Sequence, residues 1–230
     1  MIATTRITYT AYLTRHADAD IPPAPYGDFC PIPLASGLQV NLPIEPLPGT
    51  DEAIVLLMSN QTPFEVEAAL SERLTELAAP LRPEAIVGVP TMGLDYARQV
   101  ALRLGLPHYV ACGISPKYWY DPALSVPISS ITSPGAKKRL YLDPSLVERV
   151  KGKRTLIVDD VVATGGSAFA AISLMRLAGA NLLGLAAPFV EGDDWKALLG
   201  TLGPEWPRRI WTIAPIPRLK RTPGGWIPAS

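Results

Sequence analysis

The chain has 230 residues, of which 48% are hydrophobic and 18% are charged, which excludes an intrinsically disordered protein and suits one domain with a sizeable core. The formal net charge is zero, and ten acidic but only three basic side chains occur through residue 79, so we expect no nucleic-acid partner. Because no apolar run approaches the ~20 residues of a membrane span and no signal-peptide pattern opens the chain, we expect a cytoplasmic protein without membrane contact.

The predicted strands and helices alternate through the middle of the chain. In chain order, the predicted strands are residues 4–14, 52–59, 85–90, 107–113, 137–143, 154–160, 181–191 and 208–216. The predicted helices are residues 62–80, 93–105, 143–150, 167–179 and 193–200. This alternation predicts a mostly parallel sheet with helices on both faces, and ligands of such sheets bind beyond the carboxyl ends of the strands.

Two helix starts have recognisable caps. Thr62 is expected to cap the first helix, with Pro63 at its first position and Glu65 closing a capping box. Asp143 is expected to cap the short helix that follows it, with Pro144 in the first turn.

The 25 prolines concentrate near the two ends, with eight in residues 22–48 and six in residues 204–228. Proline fixes φ and removes a backbone donor, so these ends should be extended and rich in turns. We therefore predict a single domain over residues 1–230, with residues 1–50 and 204–230 as peripheral segments around a regular core.

The stretch LIVDDVVATGGS, residues 156–167, places two adjacent acids and a glycine turn after an apolar strand. It is not a Walker A loop, because Gly166 is followed by Ser167 rather than lysine, and it does not contain the dinucleotide-binding Gly-x-Gly-x-x-Gly pattern. Glycines let backbone N–H groups curve around a phosphate, and the following helix offers its positive N-terminus to the same anion. The stretch therefore predicts a phosphate site.

These twelve residues resemble the phosphoribosyl pyrophosphate (PRPP) signature of the type I phosphoribosyltransferases. Ala163 stands where hypoxanthine–guanine enzymes have an aspartate, so the resemblance is to the adenine, xanthine and orotate enzymes. The resemblance implies an α/β fold with a mostly parallel sheet, helices on both faces, and a small variable hood over the base. Residues 1–50 and 204–230 are the candidates for that hood.

The resemblance also implies roles for the signature residues. Asp159 and Asp160 would accept hydrogen bonds from the ribose hydroxyls, stabilise the cationic sugar as pyrophosphate departs, and lie near Mg²⁺. The 5-phosphate of PRPP would be bound by Val162, Ala163, Thr164, Gly165, Gly166 and Ser167.

A second loop is expected to bind pyrophosphate. Pro90, Thr91, Met92 and Gly93 follow an earlier strand, although related enzymes often have a basic residue where Met92 stands. The other candidates are Lys117, for catalysis near pyrophosphate, and the basic run Lys137, Lys138 and Arg139. For each of these basic residues a solvated surface position is the alternative. Residues 115–138 are expected to form a flexible loop that closes over the substrate.

The resulting prediction is a Mg²⁺-dependent enzyme that transfers phosphoribose from PRPP to a nitrogenous base and releases pyrophosphate. The base is expected to be a purine. The alternative is a regulatory protein of the same fold that binds PRPP without turnover. A homodimer is expected as well, with apolar residues such as Met92 and Tyr96 as candidates for its interface.

Overall fold

Two six-stranded sheets and a hairpin organise the computed structural model, which describes residues 10–15, 21–34, 37–128 and 138–229. Its strands are β1 (Tyr12–Arg15), β2 (Phe29–Pro33), β3 (Leu38–Pro46), β4 (Glu52–Val55), β5 (Ala85–Gly88), β6 (Val110–Ala111), β7 (Ser125–Ile128), β8 (Lys138–Tyr141), β9 (Arg154–Val158), β10 (Val161–Val162), β11 (Asn181–Glu191), β12 (Ile210–Ile216), β13 (Leu219–Thr222) and β14 (Gly225–Pro228). Its α-helices are α1 (Phe64–Ala78), α2 (Gly93–Arg103), α3 (Gly166–Leu177) and α4 (Asp194–Gly200).

The central sheet is parallel. β11 pairs with β12 along one edge and with β9 and then β10 along the other, and β5 and β6 continue the sheet beyond β9. The predicted fold class is confirmed, and the short strand β10 is an addition that the sequence pattern did not indicate.

Alternating side chains of β9 supply two separate hydrophobic cores. Leu156 and Val158 pack in the core that contains residues of α1 and α2, whereas Ile157 packs in the core that contains residues of α3 and α4. Since successive strand residues point to opposite faces, an almost wholly apolar strand is what a sheet with helices on both faces requires.

The second sheet, which we call the hood sheet, consists of β1, β2, β3, β4, β13 and β14. All its pairings are antiparallel, and β4 joins the two ends of the chain because it pairs with β3 on one side and with β13 on the other. The hood is therefore as many strands wide as the central sheet, rather than small. Prolines occur within the paired strands of the hood sheet, since Pro43 lies opposite Phe29 in the β2–β3 pair.

The predicted capping box of the first helix is wrong. The helix begins at Phe64, the cap position is Pro63, and no side chain caps it. Thr62 instead donates its hydroxyl hydrogen to the carbonyl of Ser59, 2.8 Å away, within the preceding turn. The second predicted cap is confirmed, because Asp143 accepts a hydrogen bond from the backbone N–H of Ser145 at the start of a 3₁₀ helix.

Within the described residues, the predicted strand 137–143 meets the central sheet only through one antiparallel bridge, between Tyr141 and Gly113 just beyond β6. Its described part, β8, pairs antiparallel with β7, and β7 lies within residues 115–138, which were expected to form a flexible loop. The sequence prediction failed there because a two-stranded hairpin with Pro127 in it has little strand signal. Residues 4–9 of the first predicted strand lie outside the described residues, and β1 begins only at Tyr12.

Candidate functional site

A cavity of about 270 Å³ lies at the carboxyl ends of the central strands, next to the hood sheet. It is lined by both predicted loops, by the end of β4, and by residues from the hairpin and β11. The lining residues are Ile54, Val55, Leu56, Leu57, Pro90, Thr91, Met92, Ile114, Ile128, Lys138, Asp159, Asp160, Val161, Val162, Ala163, Thr164, Gly165, Gly166, Ser167, Ala168 and Glu191.

The glycine turn after β10 presents free backbone donors to this cavity. No described residue accepts a hydrogen bond from the backbone N–H groups of residues 164–168, and α3 begins at Gly166. The turn depends on Gly165, whose φ of +83° is unfavourable for residues with a Cβ atom. A Cβ atom there would also lie 3.1 Å from the Cα atom of Trp195. The turn thus offers several unpaired donors at a helix N-terminus, an arrangement that suits an anion.

Asp159 and Asp160 form an acidic pair beside that turn, in which Asp159 is buried and Asp160 is half-buried. Asp159 is only 4% exposed, and its Oδ1 atom accepts a hydrogen bond from the backbone N–H of Asp160, 3.0 Å away. Burial raises the pKa of Asp159 well above its usual range, and the charge of Asp160 raises it further. Burial also raises the pKa of Asp160. Two neighbouring carboxylates that are shielded from water are stabilised by a cationic or hydrogen-bond-donating ligand.

The loop of residues 90–93 packs directly against the acidic pair. A Cβ atom on Gly93 would lie 2.8 Å from the Cα atom of Asp159, so only glycine lets α2 start this close to β9. The Pro90–Thr91 peptide bond is cis. The Ser59 hydroxyl holds the loop from the other side, since its oxygen lies 2.8 Å from both the Met92 carbonyl and the Asp95 carboxylate.

The predicted basic residues divide into those that line the cavity and those that do not. Lys138 lines it. Arg139 is directed instead at β7, where it donates hydrogen bonds to the hydroxyl and carbonyl oxygens of Ser125. Lys117 is exposed and is not among the lining residues, and Lys137 lies outside the described residues.

Sequence reasoning missed several lining residues. Ile54 to Leu57 form an apolar wall, but in the sequence they read only as a buried strand. Glu191 also went unnoticed, because a carboxylate that ends a strand is ordinarily solvent-exposed and no motif includes it. The expected use of Tyr96 at a dimer interface is wrong, since Tyr96 is fully buried in the core.

The acidic pair suits a magnesium ion that is held mainly by its substrate. No group of three or more His, Cys, Asp or Glu side chains that suits a metal occurs within the described ranges. Mg²⁺ is usually bound by one or two carboxylates together with substrate phosphates and water, and Asp159 and Asp160 provide those carboxylates.

The helices that the structure describes are all too short or too polar to span a bilayer.

The fold and this site define a class of protein. The family model described as the phosphoribosyl transferase domain matches residues 59–201, which cover both loops, α1 to α4 and most of the central sheet. The chain belongs to this family, as the sequence motif predicted.

Particular relatives are adenine and orotate enzymes. An adenine phosphoribosyltransferase of Erythrobacter litoralis is 38% identical over 117 residues, which are 50% of this chain and 61% of the relative. An orotate phosphoribosyltransferase of Staphylococcus aureus is 30% identical over 130 residues, 55% of this chain and 53% of the relative. The chain thus spans about three fifths of the length of the first curated relatives it matches.

Solved structures share the fold. The structure of APRTase from Giardia lamblia complexed with 9-deazaadenine superposes with a TM-score of 0.59 at 17% identity, covering 82% of this chain and 93% of that one. The similarity extends beyond the residues that the family model matches, because the coverage of this chain exceeds that range.

Proposed function

We propose that this protein transfers phosphoribose from PRPP to a nitrogenous base, a purine, and releases pyrophosphate. The observation that carries the proposal is the set of free backbone N–H groups of residues 164–168 beside Asp159, which is buried, and Asp160, which is half-buried. An anion-binding turn next to two acids is what a sugar phosphate needs, because its phosphate and its hydroxyls then have separate partners in one cavity.

Each part of the cavity has a role in this reaction. The turn and the N-terminus of α3 bind the 5-phosphate, with hydroxyl donors from Thr164 and Ser167. Asp159 and Asp160, once ionised, accept hydrogen bonds from the ribose hydroxyls. As the bond from C1 to pyrophosphate breaks, the sugar gains positive charge, and these carboxylates stabilise it.

The pyrophosphate side is built from backbone and one lysine. The loop of residues 90–93 offers its backbone, and Lys138 is the cationic side chain that lines the cavity among the described residues. Asp159 and Asp160 would hold Mg²⁺ together with the phosphates of PRPP, and the ion would supply positive charge for the leaving pyrophosphate. The apolar wall Ile54–Leu57 provides a face against which a flat base packs.

A second candidate function, a PRPP-binding regulator without turnover, has one observation in its favour. Asp121 is the single carboxylate between Lys117 and Asp143, and it is engaged in capping a 3₁₀ turn, where it accepts a hydrogen bond from the N–H of Ala123. The segment that would close over the substrate therefore contributes no uncommitted acid to protonate a base. A homodimer and a cytoplasmic location remain predictions of the sequence.

One assay separates the two candidates. The protein is incubated with PRPP, Mg²⁺ and, in turn, adenine, guanine, hypoxanthine, xanthine, orotate and uracil, and released pyrophosphate is measured. Release with a purine supports the enzyme. Submicromolar PRPP binding without release for any base would favour the regulator, and absence of PRPP binding would reject both.

A further inference from the structure

Glu191 is a buried carboxylate in the cavity that the proposed reaction does not use. It ends β11, is only 4% exposed, and lines the same cavity as the phosphate turn. The parallel pairing of β10 with β11 sets Val162 opposite Val190, so Glu191 follows beside Ala163. The cavity therefore contains a third carboxylate, contributed by a different strand from the acidic pair.

One oxygen of Glu191 is held by an arginine. The Nε atom of Arg218 donates a hydrogen bond to Oε1 over 2.8 Å, and its Nη2 atom donates to Asp194 over 3.0 Å. Arg218 lies between β12 and β13, so this contact fixes the Glu191 side chain against the start of the C-terminal hairpin. The permanent positive charge of Arg218 also offsets the charge of Glu191 in a cavity that already contains two other acids.

The second oxygen, Oε2, is not engaged by Arg218. Among the residues that the structure describes, none donates a hydrogen bond to Oε2 of Glu191. Oε2 is not one of the described buried side-chain atoms that lack a partner, so it is in contact with solvent. Because Glu191 lines the cavity, this oxygen is available to a donor that enters with a ligand. An ionised carboxylate only accepts hydrogen bonds, so the ligand atom facing it must carry hydrogen.

We infer that Glu191 determines base specificity by accepting a hydrogen bond from the amino group of an uncharged aminopurine. This inference rests on the proposed function. The ribose hydroxyls already have Asp159 and Asp160, whereas a base needs both an apolar wall, Ile54–Leu57, and a polar contact at its edge. The Glu191 carboxylate at the edge of the base also disfavours an anionic base such as orotate.

The test is equilibrium binding of nucleotide monophosphates, measured by calorimetry with Mg²⁺ present and without pyrophosphate, because nucleotide and pyrophosphate together would react in the reverse direction. GMP differs from IMP only by its 2-amino group, so that comparison isolates one donor. AMP differs from IMP at two adjacent positions, because its 6-amino group replaces a carbonyl and its N1 atom accepts a hydrogen bond where that of IMP donates one. Wild-type protein should bind AMP or GMP about tenfold to a hundredfold more tightly than IMP, as expected for a hydrogen bond to a charged group. Glu191→Gln, which can donate as well as accept, should reduce that preference to less than about threefold.

Asp194→Asn is the matched control. It weakens the other contact of Arg218 at a side chain that is 66% exposed, and it leaves Glu191 in place, so the preference should be retained. Equal loss in both variants would mean that the ion pair only holds the hairpin, and would overturn the inference. So would a wild-type protein that binds IMP or orotidine monophosphate as tightly as AMP and GMP, a result that needs no variant at all.

Failure of this inference and failure of the proposed function give different results. If pyrophosphate release with a purine persists while Glu191→Gln keeps the wild-type preference, the inference fails and the proposed function stands. If the wild-type protein binds PRPP but no nucleotide of any base, both fail.

Discussion

Gly93→Ala is the sharpest test of how the two loops meet. The added methyl carbon would lie 2.8 Å from the Cα atom of Asp159 and 2.9 Å from the carbonyl oxygen of Val158. Carbon atoms pack at ~3.5 Å or more, so the start of α2 and the end of β9 must separate by roughly 0.5–1 Å. Overpacking of this kind costs about 1–3 kcal/mol. For a chain of this size, that corresponds to a fall in melting temperature of roughly 2–12 °C.

The same displacement should impair the site. A shift of about 1 Å between groups that bind one substrate is expected to lower turnover about a hundredfold, and PRPP affinity should fall as well. Melting curves and calorimetric PRPP titrations measure both effects. Gly200→Ala is the control, because Gly200 ends α4 and a methyl group added to it would have no neighbouring atom within 4 Å, so it should change stability by less than about 1 kcal/mol. Wild-type melting and PRPP affinity in Gly93→Ala would refute the packing argument.

Three other expectations concern the acids and the phosphate turn. Asp160→Asn should leave the protein folded and lower turnover about a hundredfold or more, because an amide cannot stabilise the cationic sugar as a carboxylate does; kinetics near the wild-type values would eliminate the assigned role. Burial raises the pKa of Asp159 and Asp160 in the folded chain, so the ligand-free folded state holds protons that the unfolded chain has released. The free energy of unfolding of this state should therefore fall as the pH rises from about 4 through the raised pKa values. In urea titrations, Asp159→Asn should make that fall less steep. An unchanged pH profile in this variant would contradict the raised pKa values of the acidic pair. Gly165→Ala would place a Cβ atom at a residue with a φ of +83°, only 3.1 Å from Trp195. It should therefore destabilise the fold by about 1–2 kcal/mol or more and weaken PRPP binding. An unaltered PRPP affinity would argue against a phosphate at this turn.

Features that are formed by consecutive residues could be predicted from the sequence. The strand, acidic pair and glycine turn of residues 156–167 could be recognised because a phosphate cradle needs its donors, its glycines and its helix start on consecutive residues. α2, α3 and α4 were predicted within a few residues for the same reason, since apolar spacing and a terminal glycine act within one helix. The chain alone therefore determined the family, the glycine turn and the acids beside it.

Tertiary structure decided the rest, because it depends on residues that are distant in the chain. The hood sheet exists only because β4 pairs with both β3 and β13, and no local pattern links Ala53 to Leu219. Lys138 and Arg139 are neighbours in one basic run, yet Lys138 lines the cavity and Arg139 is directed at Ser125. The hairpin pairing sets which of these side chains faces the cavity. Glu191 acquires its place from the register of β10 against β11 and its charge partner from the segment before β13, two pairings that form only when the chain has folded.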